Sequence, residues 1–64
     1  MIAQSDPGTK TYEIKLVTVE GKALLFARVA ETDEEAANHA EGLMLRHDCE
    51  SAEVWHSMRL VRRL

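Results

Sequence analysis

Cysteine and proline each occur once in these 64 residues, and glycine and aromatic residues three times each. A single cysteine, Cys49, excludes an intramolecular disulfide and leaves any zinc pattern without a second thiolate. One thiol also suits a reducing cytoplasm better than a disulfide-built secreted domain. Three scattered glycines form no phosphate-cradling loop. No apolar run approaches the roughly 20 residues of a membrane helix, so no membrane partner is expected. Residues 1 to 9 are polar and lack the charged start and apolar run of a secretory signal. Asp6-Pro7-Gly8 reads as a turn, and the expectation is a flexible tail over 1–9 followed by one cytoplasmic domain over 10–64.

A chain this short builds one small core. Domains of about 60 residues bury only about 60% of the surface their unfolded chains expose, which leaves them marginal. With disulfide and zinc excluded, oligomerisation is the staple that remains.

The net charge of −3 conceals a segregation. All eleven acidic residues lie at or before Glu53, against five basic ones, giving −6; residues 54 to 64 carry Arg59, Arg62 and Arg63 and no acid, giving +3. The plain expectation is a basic strand lying beside an acidic one.

Two rhythms follow one another along the chain. Residues 11 to 20 (TYEIKLVTVE) and 23 to 30 (ALLFARVA) are rich in β-branched, aromatic and aliphatic residues and flank Gly21-Lys22. A Gly-X pair between such runs suits a two-residue hairpin turn, because glycine tolerates a positive φ at the first central position. That loop sets Val19 opposite Leu24, Leu16 opposite Ala27 and Ile14 opposite Val29. Tyr12, Ile14, Leu16 and Thr18 then share the core face with Ala23, Leu25, Ala27 and Val29. Glu13, Lys15, Val17 and Val19 share the other face with Leu24, Phe26, Arg28 and Ala30, with Lys15 directly opposite Arg28. A three-residue loop would shift the register and carry Leu24 and Phe26 onto the core face.

From residue 32 the spacing becomes helical. Thr32-Asp33-Glu34-Glu35 is a capping box, in which the Thr32 hydroxyl accepts from the Glu35 amide and the Glu35 carboxylate reaches back to the Thr32 amide. Three acids in the first turn complement the helix dipole. Ala36, Ala40, Leu43, Met44 and His47 fall on one stripe, with Ala37 at its edge. Small residues early in the stripe predict the closest approach to the sheet in the N-terminal half. Leu45 and Gly42 lie off the stripe, and a monomer core explains neither. After residue 51 the pattern is extended again, with a break at His56-Ser57. This predicts a second hairpin, with a bulged single strand as the alternative.

The fold predicted is therefore α+β, in the order β-β-α-β-β with one helix on one face of an antiparallel sheet, or alternatively β-β-α-β.

No catalytic, metal or cofactor site is expected. Cys49 would lie at the negative end of the helix dipole, which disfavours a thiolate. His39 and His47 are eight residues apart and form no H-x-x-x-H pair. The carboxylates belong to a helix cap and a solvated face. Trp55 with Arg59, Arg62 and Arg63 is the one aromatic and basic cluster, and its nucleic-acid reading rests on stacking and phosphate contact. The acidic balance and the few aromatics oppose it, so nucleic acid is the alternative partner. The preferred reading is a non-catalytic interaction module, a homodimer that could also take another protein. It associates through Val17, Val19, Leu24 and Phe26, since soluble monomers rarely expose a large apolar patch.

The segment AEVWHSMRLVRRL, residues 52 to 64, resembles the C-termini of a group of small uncharacterised bacterial proteins that end in a V-E-V-W strand, a short turn and an R-L-V strand. Tyr12-Glu13-Ile14 and the acidic, alanine-rich residues 32 to 37 extend the likeness, whereas Ser57 stands where the group usually has a turn glycine. The resemblance implies no activity.

Overall fold

The structure is a computed structural model and describes residues 8–64. The expected tail and its turn therefore lie outside the described residues, apart from Gly8 and Thr9. The elements run β1 (Lys10–Thr18), β2 (Ala23–Ala30), α1 (Asp33–His47), β3 (Cys49–His56) and β4 (Arg59–Arg63). The four strands form one antiparallel sheet in the order β2-β1-β3-β4, with α1 packed on one face. This is the α+β arrangement expected from the change of rhythm, with the C-terminal segment resolved into two strands.

The first hairpin differs from expectation. Its loop is Val19-Glu20-Gly21, closed by Thr18, whose amide donates to the Lys22 carbonyl at 2.9 Å and whose carbonyl accepts from the Gly21 amide at 2.9 Å. The Lys22 amide donates to Thr18 Oγ1 at 3.0 Å. Gly21 takes φ +92° as the third loop residue, not the first of two. A three-residue hairpin loop needs a left-handed residue there.

The register that follows pairs Leu16 with Leu24, Ile14 with Phe26 and Tyr12 with Arg28. Leu24, Phe26, Arg28 and Ala30 therefore face the helix, and Ala23, Leu25, Ala27 and Val29 take the open face. Lys15 stands opposite Leu25 and Glu53, and the expected Lys15–Arg28 repulsion does not arise. In this register the larger apolar bodies of Leu24 and Phe26 pack against the core.

The core joins Tyr12, Ile14 and Leu16 of β1, Ala30 of β2, Ala36, Ala40 and Leu43 of α1, and Ala52 and Val54 of β3. Alanines on the helix and at position 52 allow close approach of helix and sheet. Ala36, Ala37, Ala40 and Leu43 are buried as the stripe predicts, Met44 is half-buried and His47 is exposed. The His47 ring instead lies 5.4 Å from that of Phe26. Asp48 closes the helix at φ 53°, with its amide donating to the Met44 carbonyl, and its own carbonyl accepts from the Val19 amide at 3.3 Å. The tip of the first hairpin is thereby tied to the end of α1.

Register shifts place a bulge at Glu50 in β3 and another at Val61 in β4. The second lets Val61 pack against the core while Arg62 stays exposed, and Leu64 closes the sheet through paired hydrogen bonds to Ala52. The basic strand does lie beside the acidic one: Glu53 pairs with Arg63 at 3.5 Å.

Candidate interaction surface

Strand parity makes the open face of the sheet. Its central row runs Leu25, Lys15, Glu53, Arg63 across the four strands, and the row beside it runs Ala27, Glu13, Trp55, Leu60. The middle of this face is therefore ionic. Glu53 accepts from Trp55 Nε1 at 3.1 Å and pairs with Arg63, which is solvent-exposed, so this surface pair contributes little to stability.

The β2 side of the face is different. Ala23, Leu25, Ala27 and Val29 make a strip with no charge, in which Leu25 is 75% and Val29 57% exposed. The strip lies on an edge strand. Thr18 and Lys22 are hydrogen-bonded, and antiparallel pairing alternates, so Leu24, Phe26, Arg28 and Ala30 direct their backbone groups at β1. The amides and carbonyls of Ala23, Leu25, Ala27 and Val29 consequently point away from the sheet. A hollow of about 320 Å³ lined by Glu13, Leu25, Phe26 and Ala27 opens at this edge.

The two edges are managed differently. β4 has five residues, a bulge and three arginines, features that discourage another strand from adding. β2 has eight residues, no proline, no lysine, no bulge and one charge. That charge, Arg28, spans its own strand: Nη1 donates to the Ala27 carbonyl at 2.9 Å and the guanidinium lies 5.3 Å from the Phe26 ring centre.

The four residues expected to form one patch are divided. Val17 is half-buried on the open face and Val19 is exposed in the loop, whereas Leu24 and Phe26 pack against the core from the helix side. The register is the reason, and the same register exposes Leu25 and Val29, which the two-residue loop assigned to the core. Gly21, read as the left-handed third residue of a longer loop, is the signal that identifies them.

The Trp55 cluster is divided as well. Arg63 shares the open face with Trp55, but Arg62 is opposite Val54 and Arg59 is opposite His56, whose ring lies 5.2 Å from Tyr12 on the helix side. Glu13 stands directly across from Trp55, and Glu53 holds its indole N–H. Two carboxylates thus sit where a phosphate backbone would need to run.

Among the described residues no group of three or more His, Cys, Asp or Glu is placed to hold a metal ion. Cys49 is a half-buried free thiol at the start of β3, packed against the core. No described helix is long and apolar enough to cross a membrane. Fold and surface together define a small α+β domain with one helix-covered sheet face and one open face. No family model, curated protein or solved structure matches the chain.

Proposed function

We propose that this domain is a non-catalytic, cytoplasmic interaction module that self-associates, two copies pairing antiparallel along β2 to form a homodimer. One observation carries the reading: β2 is an apolar, unbulged edge with outward-pointing backbone groups, and such edges are templates for a further strand. The sequence of β2 is also complementary to itself. Turned about Ala27, the strand sets Leu25 of one copy opposite Val29 of the other on the open face, joining its two exposed large apolar side chains. On the helix side Phe26 of one copy then meets Arg28 of the other, a pairing each chain already makes internally. The bond from Arg28 to the Ala27 carbonyl is exchanged for ladder hydrogen bonds. A twofold dimer is the commonest closed assembly, and it supplies apolar burial that a domain this small lacks.

Sedimentation across a concentration series tests the proposal. The parent should approach twice the chain mass at high micromolar concentration. Leu25→Lys, or Ala27→Pro with its amide on the free side of the edge, should return a folded monomer with the helical circular dichroism unchanged. A parent that stays monomeric at those concentrations, or a Leu25→Lys variant that still dimerises, overturns it.

A further inference from the structure

On the helix side, beside β2, a groove of about 210 Å³ is lined by Arg28 of β2 and by His39, Gly42, Leu43 and Arg46 of α1. The four helix residues follow the i, i+3, i+4, i+7 spacing of one face. Three cation-capable side chains from two elements thus converge on one concavity. No carboxylate lines it, although acids outnumber bases in this chain and α1 carries Asp33, Glu34, Glu35 and Glu41. Among the described residues the side chains of His39 and Arg46 make no hydrogen bond or ion pair, and Arg28 uses one guanidinium donor of five. Phe26 beneath the Arg28 guanidinium and its bond to the Ala27 carbonyl hold the group at the groove wall.

Gly42 is the second observation. Glycine is a poor helix former, and a Cβ added at this position meets nothing within 4 Å, so no packing inside the molecule asks for it. Bare backbone in the groove lining leaves room for a group that approaches the helix closely.

We propose that this groove is an oxyanion-binding site, which takes the carboxylate or phosphate group of a small ligand between Arg28, Arg46 and His39. Guanidinium forks match either group in a bidentate manner. The volume lies below the roughly 300–1,000 Å³ of ordinary ligand pockets, so the site holds an anionic group with a short organic tail and not a whole nucleotide cofactor. Strand pairing at β2 would exchange the Arg28 bond to the Ala27 carbonyl and so bears on one of the three cation-capable groups, whereas His39, Gly42 and Arg46 belong to α1 and not to the paired strand.

An amide and imidazole NMR titration of the full chain, with sodium phosphate and separately with sodium succinate, tests it against sodium chloride at matched ionic strength. The Gly42 and Arg46 amides and the His39 ring should shift saturably, with a Kd on the order of 1 mM for so small an anion. Arg46→Gln, an exposed position, should weaken binding about tenfold or more. Gly42→Leu, which adds a bulky side chain to the groove lining and removes no charge, should abolish saturation in a folded chain. Saturation by phosphate alone assigns a phosphoryl ligand, by succinate alone a carboxylate, and by both the shared chemistry. If neither anion saturates, or if both variants bind like the parent, the proposal falls.

Discussion

Tyr12 is a fully buried ring whose hydroxyl donates to Asp33 Oδ1 at 2.6 Å, joining the first strand to the first turn of the helix. That hydrogen bond, then burial, then the charges of Asp33 and Glu35, push the phenol up from 10.0 to about 12. The unfolded chain therefore loses this proton first as pH rises. The stabilisation from the pair is complete below pH 10 and is lost progressively between 10 and about 12. Denaturant melts across that window should show the parent losing stability faster than Tyr12→Phe, and the variant should start about 1–2 kcal/mol less stable at neutral pH. Equal slopes would mean that the hydroxyl does not hold Asp33. The core position of Tyr12 was legible from strand alternation. Its partner was not, because the two residues are 21 apart and only the packing of α1 over β1 joins them.

Among the elements, α1 was the most legible, since its start is encoded within four residues. Thr32 Oγ1 accepts from the Glu35 amide at 3.0 Å as the capping box requires. The Glu35 carboxylate accepts from the Glu31 amide at 2.8 Å and not from Thr32, one residue further back than the motif specifies. Thr32→Ala should cost about 0.5–2 kcal/mol in denaturant melts, and Glu35→Ala less. The hairpins were legible as elements and only partly as registers. In the second, Ser57 and Met58 both adopt positive φ, 51° and 64°, between the paired His56 and Arg59. A two-residue loop that follows the twist of its strands demands this, and it favours Asn-Gly over side chains that clash there. Met58 is exposed and packs on nothing that would offset the strain. Met58→Gly should therefore raise stability by about 1 kcal/mol, read as a higher denaturant midpoint at unchanged slope. For the first hairpin, Gly21 suits two loop lengths, and a one-position ambiguity in a turn inverts every side chain beyond it. That is why the exposed strip was misassigned while the strand itself was not.

At the scale of the molecule, the segregated charge resolves into two adjacent strands, and the acid beside Trp55 keeps the basic end from presenting a uniform face. Any association with nucleic acid should accordingly be weak and non-specific, with a shallow salt dependence because few phosphates can be neutralised at once. The sheet order carries a different consequence, in time. Each hairpin closes over a short loop, and such closures take on the order of microseconds. The pairing of β1 with β3, the inner seam of the sheet, must wait for closure across the whole of β2 and α1. Folding should therefore be limited by docking of the two halves along that seam, where Val54 meets Ile14. Val54→Ala should slow refolding in stopped-flow chevrons more than it speeds unfolding, while Met58→Gly, which acts within a local turn, alters the balance of the second hairpin without moving that barrier to the same degree. The strand that enters first thus ends at the centre of the sheet, and the chain has to complete most of its length before its first strand finds its second neighbour.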